Sequence, residues 1–229
     1  MIFTELTTKI DDLLGTVEGQ FSTAKKARAL NSAYDYTISI VRNQVNNSLW
    51  DDPNWNDLSI GYIDLVSGKA EYSVFKDTNN ASITDIHSVS RQDGSGNWTK
   101  LTRSTIHENG EFNEEEDTGD PYTYMYTGGY IMLQNIPSGS VTKGLKFFFS
   151  RTQRRFTAFD TIMEPGFNPL FHDILAYHAA MEFAIEKGMN SANSWKALRD
   201  ERIQELIRYE NTKNTDKPRV FTAKRQSAV

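Results

Sequence analysis

Between residues 23 and 49 apolar side chains recur at Ala27, Leu30, Tyr34, Ile38, Val41, Val45 and Leu49, each three or four residues after the last. That is the period of one face of an α-helix, so the spacing predicts a long amphipathic helix with one face meant for burial. Ser22 or Thr23 is placed to cap its start, and Asp51, Asp52 and Pro53 end it, because the residue before proline is pushed out of helical geometry. A shorter helix precedes it, with Thr4 as N-cap, Leu6, Ile10, Leu13 and Leu14 at the same period, and Gly15 at the left-handed position after its end.

From about residue 58 to 151 the pattern changes to short β-branched and aromatic runs separated by turn residues. Candidate strands are 60–65, 71–75, 83–90, 98–102, 122–126, 130–134 and 145–150. The turns between them are Ser67-Gly68, Asp93-Gly94-Ser95-Gly96, Gly128-Gly129 and Pro137-Ser138-Gly139, and the glycine pair between Tyr126 and Tyr130 is the strongest hairpin signal. Seven short strands at this spacing predict an antiparallel sandwich or barrel-like module.

Helical periodicity returns after the Pro-Gly-Phe run at 165–167. Asn168 caps, Pro169 takes the first helical position, and an apolar face runs through Leu170, Phe171, Ile174, Leu175, Tyr177, His178, Met181, Ala184 and Ile185 to a stop at Gly188. A last helix over about 191–211 turns Trp195, Leu198, Ile203, Leu206 and Ile207 inward, and past Asn214 the pattern ceases.

The fold class is therefore α+β: a helical bundle formed by the N- and C-terminal helices, an inserted antiparallel β-sandwich or barrel-like module, and an extended C-terminal arm. The boundaries are 1–56 for the first helices, 57–152 for the inserted module, 153–212 for the last helices and 213–229 for the arm. No internal repeat is present.

Composition narrows the chemistry. The 229 residues include no cysteine, which excludes a disulfide framework, a thiolate zinc site, an iron–sulfur cluster and a cysteine nucleophile. No apolar run approaches the roughly 18 to 20 residues that would span a bilayer, so no membrane association is expected. Residues 1–10 lack a positive n-region and place Glu5 where the apolar core of a signal peptide would lie, so no secretory export is expected.

The net charge of −5 hides two opposite parts. Residues 213–229 carry Lys213, Lys217, Arg219, Lys224 and Arg225 against Asp216, a tail of +4 on a body of −9. The acids concentrate at Glu108, Glu111, Glu114, Glu115, Glu116, Asp117 and Asp120, with no base among them. Such asymmetry marks either an interaction tail or a solvated loop and terminus. No basic stripe for nucleic acid runs along the chain.

Catalytic motifs are missing. There is no phosphate-binding glycine loop, no zinc-protease helix, no serine elbow and no EF-hand loop, and no cofactor is expected. Of the four histidines, His87, His107, His172 and His178, the last two lie six apart, roughly 240° round a helix, and cannot share a ligand-bearing face. His178 and Glu182 are four apart and can meet as an ordinary helix pair. The acidic loop Glu114, Glu115, Glu116 and Asp117 could hold a divalent cation or serve glycosidic acid–base chemistry if two carboxylates converged; hydrated side chains are the simpler reading. Trp50, Trp55, Trp98, Tyr122, Tyr124, Tyr126 and Tyr130 could form an aromatic platform for sugar or single-stranded nucleic acid, or alternate into a sheet core.

The order of features is more informative than any one of them. A helix ending in Leu49-Trp50 with Trp55 shortly after, strands around Gly61 and Tyr72, and the stretch Gly119-Asp120-Pro121-Tyr122-Thr123-Tyr124 come first. Ile131-Met132-Leu133 with Pro137, the run 145–149 with Arg151, and Pro165-Gly166-Phe167 before an Ala-rich helix follow. Over most of residues 20 to 190 this succession resembles the head-to-tail adaptor (connector) proteins of tailed bacteriophages.

The resemblance implies a structural virion protein without enzymatic activity. Its subunits would form a homo-oligomeric ring, usually twelvefold in that family, beneath the portal protein, continue the DNA channel without specific DNA binding, and present a platform for a tail or nozzle protein. It also implies a portal-binding arm, here Lys217, Arg219, Val220, Phe221, Lys224 and Arg225, with Val220 and Phe221 as apolar anchors. A −9 body repeated round a channel would repel phosphate rather than grip it. Two other functions remain open on the residues alone: a carbohydrate-binding or host-recognition β module on a helical stem, and a glycan hydrolase using the acidic loop. Co-planar exposed rings would favour the first, and facing carboxylates roughly 5 to 9.5 Å apart the second.

Overall fold

The structure, a computed structural model, describes residues 1–16, 20–45, 51–104 and 118–213. Among them are four α-helices and several largely antiparallel sheets, a mixed α+β protein with no closed barrel. The chain divides into two compact units, one holding all four helices and the other all the strands together with the segment that follows them as far as Phe167.

In the helical unit α1 (Phe3–Leu14) buries Phe3, Leu6, Ile10 and Leu14, the predicted stripe, with Leu13 only half-buried. Gly15 leaves the helix at φ +61°, a conformation that costs other residues a Cβ clash. Thr4 sits inside the first turn rather than capping it, and its carbonyl accepts the hydroxyls of Thr7 (2.9 Å) and Thr8 (3.0 Å). Helix α2 (Thr23–Val45) is capped by Ser22, whose Oγ accepts from Lys25 N at 3.4 Å. It buries Ala27, Leu30, Tyr34, Ile38 and Val41 as the spacing requires, with Ala33 and Thr37 widening the stripe. The buried Lys26 ammonium donates to the Asp11 carboxylate, which also takes the Thr16 hydroxyl at 2.7 Å, so one acid ties the end of α1 to the start of α2.

Asn168 does cap, its Oδ1 accepting from Leu170 N at 3.0 Å, but Pro169–Phe171 form a single 3₁₀ turn and α3 (Asp173–Glu186) starts after it. Helix α3 packs against α1, α2 and α4 (Ala192–Lys213). Ile174, Leu175, Ala176, Ala179, Ala180 and Ala184 are all fully buried, the mark of a helix covered on every side. Leu170 and Ile185, predicted for its inner face, are instead exposed, as is Leu198 of α4. Helix α4 buries Ile203, Leu206 and Ile207 as expected, and Phe21 stacks on Phe183 at 4.5 Å between ring centres.

The strand unit contains β1 (Ile60–Leu65), β2 (Glu71–Ser73), β3 (Ile83–Gln92), β4 (Trp98–Lys100), β5 (Thr102–Arg103), β6 (Thr118–Gly119), β7 (Thr123–Thr127), β8 (Tyr130–Gln134), β9 (Ile136–Pro137) and β10 (Val141–Arg151). One four-stranded sheet is ordered β1-β10-β3-β4 and is antiparallel throughout. The other is ordered β2-β8-β7-β5, with β5 parallel to β7 and the rest antiparallel; β6 and β9 make a short parallel pair. Both four-stranded sheets are open, so the barrel-like alternative is not what forms. The predicted hairpin joins β7 to β8, with Gly128 at φ +56° and Gly129 at φ +82°, the two positive angles that a type I′ turn demands.

Side chains from both sheets form one core, with Tyr72, Tyr124, Ile131 and Leu133 from one and Ile86, Val89, Leu145, Phe147 and Phe149 from the other. The buried residues of β3, Ile83, Ile86 and Val89, are three apart rather than two. Register shifts opposite Phe148/Phe149 and Ser150/Arg151 leave Thr84 and His87 as extra residues on β3, and each such bulge resets which side chain faces inward.

Candidate functional site

The most concentrated chemistry among the described residues lies at the end of β10. Arg151 closes an apolar run, Phe147 to Phe149, and its side chain is fully buried. A buried guanidinium must place five N–H donors. Here Nε and Nη2 donate to the two oxygens of Asp51 (3.0 and 2.9 Å), Nη1 to Asp57 Oδ1 (2.8 Å) and Asp77 Oδ2 (2.6 Å), and Nη2 also to the Asp57 carbonyl (2.8 Å). The Trp55 ring lies 5.2 Å from the guanidinium carbon. Burial opposes the charge, but the hydrogen bonds to Asp51, Asp77 and Asp57 outweigh it and raise the Arg151 pKa.

The acids are held in turn. Asp77 Oδ1 accepts from the backbone of Asn79 (2.9 Å) and Ala81 (2.8 Å), and Asp57 Oδ1 from Asn79 Nδ2 (2.8 Å). Asp52 adds a second tie, accepting from Asn54 N (2.9 Å) and from Arg154 N (2.9 Å), while Asn54 Nδ2 donates to the Glu164 carbonyl (2.8 Å) and Trp55 Nε1 to that of Thr152 (3.1 Å). Segment 51–57 is thereby fastened to both ends of the loop that follows β10.

That loop presents large apolar groups to solvent. Phe156 and Met163 are buried, yet between them Phe159 is 93% exposed and Ile162 80%. The tip is a closed turn. Asp160 Oδ2 accepts from Thr157 N (2.6 Å) and Oγ1 (2.9 Å), and Asp160 N donates to the Thr157 carbonyl (3.2 Å). The turn therefore holds the Phe159 and Ile162 side chains in water on a hydrogen-bonded backbone.

In the helical unit His178 and Glu182 meet as their spacing requires, Nε2 to Oε1 3.2 Å, with Ser32 Oγ donating to the same oxygen at 2.9 Å. Burial pushes the Glu182 pKa up, but these hydrogen bonds and the charges of His178 and Arg199 bring it below the usual carboxylate value. His87 instead contacts Ser150 Oγ at 2.7 Å and His172 the Met1 amine at 2.7 Å. Among the described residues no group of three or more His, Asp or Glu is placed to hold a metal ion.

Both site groups read from the sequence, the acidic loop Glu114, Glu115, Glu116 and Asp117 and the arm residues Lys217, Arg219, Val220, Phe221, Lys224 and Arg225, lie outside the described residues, as do Trp50 and His107. The other aromatic candidates scatter. Trp55 covers Arg151, Tyr124 is in the core, Tyr122 is exposed, and Tyr130 meets Phe75 edge-on. Trp98 meets Tyr62 at 62° between planes, so these two exposed rings are not co-planar, and Lys146 Nζ lies 4.6 Å from the Trp98 ring centre.

No family model matches the chain, and no curated protein matches it in sequence. The Arg151 centre was missed in the sequence because its partners are 74, 94 and 100 residues away. The available signal was local: three aspartates in 51–57 and an arginine shortly after the Phe147 to Phe149 run.

Proposed function

We propose that this chain is a structural virion protein of a tailed bacteriophage, an adaptor whose copies form a ring between portal and tail, continue the DNA channel and offer a platform to the next tail component. The observation that carries the proposal is the succession of elements. Two helices, a strand-rich stretch, the Pro-Gly-Phe run at 165–167 and an Ala-rich helix buried on all sides follow one another in the order that the adaptor resemblance implies. In this reading the helices constitute one bundle and the two open sheets an inserted sandwich.

Further support comes from the surface. A clamped turn that keeps Phe159 and Ile162 in water suits a subunit whose contacts are completed by other chains. The body charge of −9, repeated round a ring, suits a channel that lets DNA pass rather than retaining it. The protein acts by assembly, not by catalysis. The arm 213–229 docks on the portal, with Val220 and Phe221 as apolar anchors and Lys217, Arg219, Lys224 and Arg225 pairing with its acids. The sugar-binding alternative has less support, since the exposed Trp98 and Tyr62 rings meet edge-on rather than co-planar.

A chain shortened after Thr212 tests the arm. It should keep its circular dichroism and thermal transition while losing binding to the portal protein in co-sedimentation; undiminished binding would refute the role given to the arm.

A further inference from the structure

Alternation along β10 sends Leu145, Phe147 and Phe149 into the core, so Lys146 and Phe148 point out of the opposite face of the β1-β10-β3-β4 sheet. Residues opposite one another on paired strands share a face. This aligns Tyr62, Lys146, Ser90 and Lys100 in one row across the four strands, with Ile60, Phe148 and Ser88 in the next. Trp98 leans in from β4. Its ring centre is 6.2 Å from that of Tyr62, and the Lys146 ammonium lies 4.6 Å from the Trp98 ring centre and 6.0 Å from that of Phe148. Tyr62, Trp98 and Phe148 are all exposed, so this face carries three rings in water around one cation. Neither Lys146 nor Lys100 meets a carboxylate among the described residues. Acids elsewhere on the sheet are engaged: Asp64 accepts from Lys143 N at 2.7 Å, and Asp85 from Arg103 Nη2 at 3.2 Å.

We propose that this sheet face is the surface offered to the next tail component, and that it takes an acidic polypeptide segment with aromatic side chains among its carboxylates. The charge on the face sets the sign of the partner. Two ammonium groups without acids, in a chain of net charge −5, attract a carboxylate, and attraction at Lys146 gains from the rings that displace water around it. The rings set its other half, because exposed Trp, Tyr and Phe side chains are the groups that dominate protein–protein contacts. Other partners fit less well. The 62° between the Tyr62 and Trp98 planes leaves no platform for stacked bases or sugar rings, and two lysines are too few to track a phosphate backbone. Arg91 and Arg103, the guanidinium groups of this region, are taken by Asp120 and Asp85. The inference rests on the adaptor reading above and names the chemistry of one of its partners.

The test uses the full chain and a short labelled peptide of glutamate with interspersed tyrosine, followed by fluorescence anisotropy. The peptide should bind, and its glutamine counterpart should bind at least about tenfold more weakly. Lys146→Met, which keeps the stem on Trp98, should weaken binding about tenfold, and Trp98→Ala about thirtyfold, the change typical of truncating an interface anchor. Lys146→Met should leave the thermal transition in place, because the side chain lies outside the core. No binding, or binding that Lys146→Met leaves unchanged, overturns the proposal; so does an oligothymidylate or a neutral cello-oligosaccharide that binds this face more tightly than the peptide. Sedimentation with the portal protein separates this from the adaptor reading. A ring on the portal without peptide binding overturns the surface alone, whereas Lys146-dependent peptide binding by a chain that never joins the portal supports the surface and overturns the adaptor reading.

Discussion

Replacing Arg151 by methionine removes a guanidinium with five hydrogen bonds and keeps most of the apolar stem. The carboxylates left behind are not equivalent. The Asp51 and Asp57 side chains are 24% and 40% exposed and can hydrate, but that of Asp77 is only 3% exposed and is pinned by two backbone N–H groups. Breaking a buried ion pair from one side costs about 3–5 kcal/mol, mostly through the stranded charge. With one carboxylate of three unable to reach water, a loss of about 4 kcal/mol is expected for the strand unit, a large share of the 5–15 kcal/mol typical of a domain. Urea unfolding followed by tryptophan fluorescence measures it, since Trp55 lies on the guanidinium. Arg151→Lys should recover only part of the loss, because an ammonium cannot fill the two-pronged contact with Asp51. Combined with Asp77→Asn, the methionine variant should lose less than the sum of the two single changes. A loss below about 1 kcal/mol for Arg151→Met, or strict additivity with Asp77→Asn, would refute the idea that Arg151 holds the 51–57 segment and the 77–81 turn together.

Other substitutions probe single contacts. Gly61→Ala forces a methyl group into the buried Phe147 ring and should cost about 1–3 kcal/mol by overpacking; an unchanged urea midpoint would mean that the ring can move aside. At Gly129 the neighbouring Phe75 is half-exposed and can swing away, so Gly129→Ala should cost only the left-handed backbone penalty, about 1–2 kcal/mol, read from the same curves. Because the folded pKa of Glu182 lies below its ordinary 4.5, the stabilisation it supplies is complete above that value and is lost as pH falls through the lower folded one. Glu182→Gln should therefore lower the melting temperature at neutral pH, with the gap to the parent narrowing below about pH 4.5; a gap constant with pH would contradict this.

Local patterns carried further in some places than in others. Strands β1 and β8 have the bounds read from alternation and turn residues, and the Gly128-Gly129 hairpin forms as its two glycines require. On β3 simple alternation fails, since two bulges set by β10 decide which residues face inward. Helix α3 departs from a one-sided stripe for a related reason. With α1, α2 and α4 around it burial has little period, so Ala176 and Ala180 matter as much as Ile174, while Leu170 and Ile185 fall outside the packed zone. The Arg151 centre depends wholly on contacts distant in sequence, and no local pattern foretells which acids an arginine will meet.

The central claim is assembly, and the mass of the particle tests it most directly. The full chain, alone and mixed with its portal protein, is weighed by native mass spectrometry and imaged in negative stain. The adaptor reading predicts a closed ring of this chain, seated on the portal and surrounding an open channel. A monomer that stays a monomer and leaves the portal bare would contradict it.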